Sequence, residues 1–350
     1  MRTSSARRTK AAALSAVVTV AALALAACGG SSGGAGSGTA SGPVPTITLG
    51  SPGIPPVISG LLPYIAQKEG FYRKYGVNVE IRSFQTGTDA TRAVAAGQLD
   101  AAIMPPALLM ELAAKGVKVV GIQGQEVPDW VVASTDPAVN SCAQLKGQGV
   151  SVDAVGGIRY VALSSMLKSC GLTVQQIKPL VFPGNNAPQG MIAGQLKVAV
   201  LHLNELIDVQ RRLGRKVHVV MRMSQTSPGT MYEMYGVLSK TLAAKRTAFV
   251  HMVAAQIAAL TWMTNPANLD KAAQLGTVTG DSQAVMKQAL QEYYRMGFWT
   301  TDGSGMPAAN VNKMIQVQIA VGNLQASSAP AYAQIVDQSV YADAAKQVTG

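Results

Sequence analysis

One internal echo constrains this chain more than any other feature. Ala96-Gly97-Gln98-Leu99-Asp100-Ala101-Ala102-Ile103 returns as Ala193-Gly194-Gln195-Leu196-Lys197-Val198-Ala199-Val200, and Gly116-Val117-Lys118-Val119-Val120 is answered by Arg215-Lys216-Val217-His218-Val219-Val220, 97 to 100 residues later. Each copy reads as a helix end, a turn, a buried strand, a second helix and a further strand. So long a period is wrong for a solenoid of short stacked units and fits two duplicated α/β halves. The competing reading is chance, since Ala-Gly-Gln-Leu suits a helix end by composition alone.

The flanking segments continue the alternation. Thr46–Leu49 reads as a strand closed by the turn-forming Gly50-Ser51-Pro52-Gly53. A helix follows with Leu61, Leu62 and Ile65 on its apolar side, then a turn over Phe71–Gly76 and a strand over Val77–Ile81. Thr88 or Asp89 can cap the next helix, which ends at Gly97; Ala101–Ile103 is a buried strand stopped by Pro105-Pro106, Ala107–Lys115 a helix and Val117–Val120 a strand. The second half has strands at Val150–Val152, Ile177–Phe182, Val198–Leu201 and Val217–Met221, with a helix over Ile158–Lys168. From Ser239 onward the pattern is largely helical. Strands alternating with short helices imply right-handed crossovers on mainly parallel sheets covered on both faces. The simplest arrangement has a first lobe over 46–128 completed by 236–350, a second lobe over 134–230, and two hinge crossings at about 129–133 and 231–238, with candidate strands at Trp130–Ala133 and Tyr235–Leu238.

With 350 residues, 48% hydrophobic and 13% charged, the chain is too apolar for a disordered polymer and large enough to fold without disulfide staples. Its formal charge is +11. Arg2, Arg7, Arg8 and Lys10 stand in residues 1–27 with no acid, which leaves 25 cations against 18 acids in the rest, a modest and scattered excess. A nucleic-acid binder gathers cations beside aromatics or in a recognisable module; neither is found, so no nucleic-acid partner is expected. The basic start precedes the apolar run Ala11–Ala27, too short and Ala-rich for a spanning helix, so 1–27 reads as an export signal. Leu25-Ala26-Ala27-Cys28 resembles the bacterial lipoprotein box, which implies a diacylglyceryl group on the Cys28 thiol and cleavage before it; ordinary secretion is the alternative. Residues 28–45 are then a Gly/Ser-rich tether that leaves the folded body on the extracytoplasmic face of the cell membrane.

Pro63-Tyr64-Ile65-Ala66-Gln67-Lys68-Glu69-Gly70-Phe71-Tyr72, then Tyr75-Gly76-Val77-Asn78-Val79-Glu80, then Ala95–Ala102, and Leu145-Lys146-Gly147 before a strand stand in a recognisable order. Over nearly all of 46–345 the chain resembles the solute-binding components of ABC import systems, in the group containing aliphatic-sulfonate, taurine, nitrate and thiamine-precursor binding proteins. The resemblance implies a two-lobed, periplasmic-binding-protein-like α/β fold of type II, with the ligand between lobes joined by two crossings. It further implies that the closed, loaded protein docks on a membrane permease driven by a separate ATPase. The expectation is a monomeric, lipid-anchored, non-enzymatic binder of one small-molecule solute, with no cofactor.

In open α/β sheets the ligand lies beyond the carboxyl ends of the strands, so the residues after each strand are the candidates. In the first lobe these are Ser51, Gly53 and Ile54, then Thr86, Gly87 and Thr88, then Met104. Gly87 and Thr88 precede a helix whose free N–H groups can receive an anion or an electron-rich atom, with simple capping as the alternative role for Thr88. In the second lobe they are Gly156, Gly157 and Arg159, then Asn185 and Asn186, then His202 and Asn204. Gly156-Gly157 lets backbone close around a ligand. Arg159 either grips a sulfonate or carboxylate or points to water from the first turn of its helix. His202 and Asn204 follow their strand where Met104 and Pro106 stand in the first copy, a loop role being the alternative for His202. Trp130, near Glu126 and Asp129, either covers a ligand or packs between lobes; Met231, Tyr232, Met234 and Tyr235 pose the same choice. With few acids assigned to the cleft, a small anion or zwitterion is favoured over a polycation.

Cys142 and Cys170 flank the first strand–helix unit of the second lobe, and an extracytoplasmic disulfide is expected, with two buried thiols as the alternative. No clustered His or Cys set suggests a metal, and no GxxxxGK or GxGxxG loop suggests a nucleotide. The Gly-x-Ser-x-Gly elbow of a hydrolase is also missing. Solute capture for transport therefore leads, ahead of a tethered sensing module and an extracytoplasmic hydrolase.

Overall fold

The computed structural model describes residues 43–125, 127–155, 157–182, 186–301 and 303–349. The expectations for the export signal, Cys28, Glu126, Gly156 and Asn185 lie outside these residues, as does the tether up to Gly42. Among the described residues the strands are β1 (Thr46–Pro52), β2 (Asn78–Phe84), β3 (Ala101–Met104), β4 (Val119–Gln125), β5 (Val131–Ser134), β6 (Gly149–Val152), β7 (Lys178–Val181), β8 (Val198–Leu201), β9 (His218–Arg222) and β10 (Glu233–Leu238).

They form two five-stranded sheets, ordered β2-β1-β3-β10-β4 and β7-β6-β8-β5-β9. In each sheet the fourth place is held by an antiparallel strand from beyond a connection between the sheets. β10 comes from β9 to lie between β3 and β4, and β5 leaves β4 to lie between β8 and β9. The stretches expected as hinge crossings are largely ladder strands, as the candidate strands in them required: 131–133 belongs to the second sheet and 233–238 to the first. Buried backbone there needs hydrogen-bond partners, and the neighbouring strands supply them. The connections proper are the shorter stretches between Gln125 and Val131 and between Arg222 and Glu233.

The echoed segments occupy equivalent places. Gly97 and Gly194 take the left-handed conformation, with φ of 73° and 74°, just after the helices Gly87–Ala95 and Asn186–Ile192. Their N–H groups donate to Val94 and Met191 carbonyls, closing the helix ends in a way that glycine alone permits at little cost. The strands that follow, β3 and β8, are each third in their sheets, and the helices Pro106–Ala114 and Leu203–Leu213 lead on to β4 and β9.

One apolar core runs through both sheets, including Leu49, Ile103, Val132, Val150 and Val200, and takes in Phe249 and Val253 of the long helix Ser239–Thr264. A second lies on the opposite face of the first sheet and is rich in methionine: Met104, Met110, Met234, Met306 and Met314. Met104 Sδ stands 2.4 Å from where a Cβ on Gly236 would be, so the glycine makes room for the thioether. The C-terminal helix Gln283–Met296 packs on Leu203–Leu213, so the returning segment touches the second half as well as the first. Cys142 and Cys170 form a disulfide across a separation of 28 residues, which by loop entropy is worth about 3–4 kcal/mol.

Candidate functional site

A cavity of about 30 Å³ lies where the carboxyl ends of the parallel strands of both sheets meet. Gly53 after β1 and Thr86 and Gly87 after β2 line it from the first sheet. Asp153 and Arg159 after β6 and His202 after β8 line it from the second. Trp130, Tyr232 and Glu233, where the chain passes between sheets, complete the wall. A second cavity, of about 220 Å³, is lined by Ile54, Asn186, Asn204, Glu205, Asp208 and Asp281, among others.

Of the two alternatives for Arg159, pointing to water is overturned: the residue is 2% exposed. Its Nη1 donates to the Val200 carbonyl and to Glu205 Oε2, both at 2.7 Å, and its Nη2 to Glu205 Oε1 at 2.7 Å. The guanidinium carbon stands 5.1 Å from the centroid of the Trp130 ring. Burial opposes the Arg159 charge, but Glu205 outweighs it and holds the guanidinium above its ordinary range. Burial likewise pushes Glu205 up, and the Arg159 charge with its hydrogen bonds brings the carboxyl below the usual range. Arg159 therefore neither points to water nor presents an unmatched charge to an anion; it forms one wall of the cavity as half of a fork-to-fork pair.

The start of its helix explains the placement. Asp153 Oδ1 accepts from the Arg159 N–H at 3.2 Å. A Cβ on Gly157 would fall 2.6 to 2.8 Å from the Asp153 carboxyl group, so the absence of a side chain at Gly157 is what admits that carboxylate to the helix N-terminus.

A second buried network joins the first connection to the second half and the C-terminal helices. Asp129 Oδ2 accepts from the Tyr293 hydroxyl at 2.6 Å and the Leu203 N–H at 3.0 Å. His202 Nδ1 lies 3.1 Å from Asp129 Oδ1, and a carboxylate that only accepts requires the proton on that nitrogen. Burial pushes Asp129 up, but the His202 charge and these hydrogen bonds prevail and hold it below the usual carboxylate range. Tyr293 accepts in turn from the Asn204 N–H at 3.3 Å, and Asn204 Nδ2 donates to Asp281 Oδ2 at 2.6 Å. Burial raises Asp281, against the pull of Asn204 and Thr279. The Trp130 ring lies 3.9 Å from the His202 ring and 5.6 Å from Tyr232, centroid to centroid. It both packs between the halves and walls the cavity.

Glu233 is the unmatched group. It is 2% exposed, it lines the smaller cavity, and its Oε2 has no hydrogen-bond partner among the described residues. Burial pushes its carboxyl up to about 8, against a Ser59 hydrogen bond that lowers it and with the Asp129 charge adding to the rise.

Of the residues singled out in the sequence, Gly53, Thr86, Gly87, Trp130, Arg159 and His202 line the smaller cavity, and Ile54, Asn186 and Asn204 the larger. Ser51, Thr88, Met104 and Gly157 line neither. Ser51 turns under the chain, its Oγ 2.4 Å from where a Cβ on Gly60 would be, and Met104 is wholly buried in the methionine-rich core. The helix cap is Thr86, not Thr88 or Asp89: its Oγ1 accepts from the Asp89 N–H at 3.2 Å. His202 stands immediately before its helix as Pro105 does, so its counterpart is Pro105 and the expected register was off by one.

Sequence reasoning missed Asp153, Glu205, Tyr293, Glu233 and Asp281. Asp153 directly follows β6 and the strand-end rule reaches it; Glu205 stands three residues past His202, where a first-turn carboxylate can accept the His202 N–H, as it does at 2.8 Å. Nothing local marks Tyr293 or Asp281. The expectation of few acids in the cleft is corrected, because Asp153 and Glu233 line one cavity and Glu205, Asp208 and Asp281 the other.

A family model described as NMT1/THI5 like matches residues 59–268. No curated protein matches the chain. Among solved structures, a protein from Bordetella bronchiseptica RB50 is similar with a TM-score of 0.76 at 19% identity, covering 87% of this chain and 98% of its own. The alkanesulfonate-binding protein SsuA from Xanthomonas axonopodis pv. citri, bound to MOPS, has a TM-score of 0.67 at 15% identity, covering 85% and 100%. The periplasmic nitrate-binding protein NrtA from Synechocystis PCC 6803 has 0.67 at 14% identity, covering 87% and 89%. At such identities the likeness speaks to fold: two five-stranded α/β sheets arranged as in periplasmic binding proteins.

Proposed function

This chain belongs to the NMT1/THI5-like family, and we propose that it is the extracytoplasmic solute-binding component of an ABC importer, which captures one small molecule between its two sheets and delivers it to a membrane permease. The observation that carries this reading is the 30 Å³ cavity at the strand ends, walled from both sheets at once. A ligand there bridges the halves, so its binding energy falls on whichever arrangement brings them together. The two connections, between Gln125 and Val131 and between Arg222 and Glu233, serve as the hinge. The first sheet with the C-terminal helices is one lobe, the second sheet the other. On opening, the cavity admits a solute larger than the space it now encloses; on closing, Asn204 reaches Asp281 and Tyr293 across the gap.

The anchor rests on the sequence. Residues 1–27 act as the export signal, Cys28 carries the lipid, and the segment to Pro45 tethers the body to the membrane. In this reading the protein performs no chemistry on its solute.

Native mass spectrometry of residues 29–350, incubated with a broad library of small solutes, tests the central claim. One solute should add in 1:1 ratio and raise the melting temperature; at a concentration a hundredfold above Kd the stabilisation is about 2.7 kcal/mol. Small-angle scattering should show the molecule contract as the solute is added. A library that yields no adduct and no shift would remove the solute-capture reading.

A further inference from the structure

Resting on that reading, we infer that the captured solute is a small organic cation, carrying an ammonium or amidinium head that is held between the Glu233 carboxyl on the first-sheet side and Asp153 on the second. Four observations lead there. The two lining groups able to carry positive charge are already matched, Arg159 by both oxygens of Glu205 and His202 by Asp129. The smaller cavity's own acids, Asp153 and Glu233, are neither of the carboxylates that pair these two cations, so they stand as charge beyond the matched pairs. Arg212 pairs with Asp208 at 3.0 Å from an exposed position, so it brings no unmatched charge to the larger cavity. Finally, Glu233 Oε2 is buried at the cavity wall with no hydrogen-bond partner among the described residues, and a buried carboxyl oxygen left unmatched costs more than one that a ligand N–H satisfies.

An anion entering this space meets the Asp153 carboxylate and, among the described lining residues, no cation that a carboxylate does not already pair, whereas an organic cation supplies the charge and N–H donors that the site lacks. The relatives described as alkanesulfonate-binding and nitrate-binding share the fold, but the charges lining this cleft suit the opposite sign. Glu233 faces Ser59 and Asp129, with Tyr232 and Tyr235 beside it on its own segment, and Arg159, His202 and Asp153 share its cavity. Its carboxyl, raised by burial to about 8, is largely protonated in the empty site at neutral pH. A cation selects the ionised form and releases a proton on binding. Since only the ionised fraction is competent, apparent affinity should rise roughly fiftyfold between pH 6 and pH 8.

The experiment compares charge on a constant skeleton. Ethylammonium, acetamidinium and guanidinium are titrated against ethanesulfonate, acetate and nitrate, with thermal unfolding and calorimetry as readouts, on the parent and on Glu233→Gln. Glutamine has the shape of the protonated carboxyl, so the variant should fold like the parent, and circular dichroism verifies it. The cations should stabilise the parent, more at pH 8 than at pH 6, and lose at least tenfold in affinity with Glu233→Gln. Stabilisation by the anions in place of the cations, an undiminished cation effect in Glu233→Gln, or no response to either class would each overturn the inference. The solute library separates its failure from that of the function: an anionic or neutral 1:1 adduct refutes the cation and leaves capture standing, while no adduct at all refutes capture.

Discussion

Replacing Arg159 by methionine should cost the folded state about 3–5 kcal/mol, the range for breaking a buried ion pair from one side. The penalty arises in the partner left behind: Glu205 is 4% exposed, and both its oxygens engage the guanidinium. The Val200 carbonyl also loses a donor at 2.7 Å. For a folded body of this size, at about 2.1 cal/mol/K per residue of unfolding entropy, the loss lowers the melting temperature by about 5–8 °C. The pH dependence has a definite sign. In the parent, Glu205 is held below its unfolded value, so its contribution is present above about pH 4.3 and lost as pH falls through the lower folded value. In Arg159→Met the stranded carboxyl is raised by burial instead, so the variant suffers most at pH 8 and recovers as acid protonates Glu205. The two stability curves should converge on acidification. Urea denaturation from pH 5 to pH 8, with calorimetry at each end, measures this, and the double variant Arg159→Met/Glu205→Leu should regain most of the loss. A single variant within about 1 kcal/mol of the parent, or a double variant no better than the single, would show that the pair does not hold the wall of the cavity.

Two further outcomes follow from the neighbouring groups. Asp129→Asn keeps the shape but weakens the hydrogen bonds from His202 and Tyr293, and should cost about 1.5–3 kcal/mol at pH 7. Because Asp129 is held below its ordinary value, the difference from the parent should be full above about pH 4 and vanish as pH falls through the folded value, which denaturation at pH 7 and pH 3 will register. Gly157→Ala has a permitted backbone, with φ of −72°, yet its methyl group meets the Asp153 carboxyl group at 2.6 to 2.8 Å. We expect about 1–3 kcal/mol of destabilisation and weaker solute binding; unchanged melting and unchanged affinity together would mean that Asp153 moves aside freely.

Much of the architecture could be read from local pattern. The 97-residue echo predicted two equivalent units, and β3 and β8 with their preceding left-handed glycines fall at matching places in matching sheets. Short apolar runs predicted the strands, most clearly β3 and β8, which are buried along their whole length because both faces of a mainly parallel sheet are covered. The strand-end rule found Gly53, Thr86, Gly87 and His202 for a similar reason: where a parallel strand stops, the loop that follows opens on the cleft. It failed for Met104, whose side chain leaves the same strand end toward the core, since alternation along a strand sends neighbouring residues to opposite faces.

The sequence by itself determined that this chain folds into paired α/β units and roughly which loops converge, because hydrophobic period and turn chemistry act between residues a few positions apart. Which charges meet was decided only in three dimensions. Arg159 finds Glu205 46 positions away, and Asp129 finds Tyr293 at a distance of 164. Glu233 Oε2 is left without a hydrogen-bond partner among the described residues, while the cations that share its cavity, Arg159 and His202, pair with Glu205 and Asp129. A side chain's charge state and availability depend on the whole surrounding volume, and that volume is assembled from segments whose proximity no local pattern records.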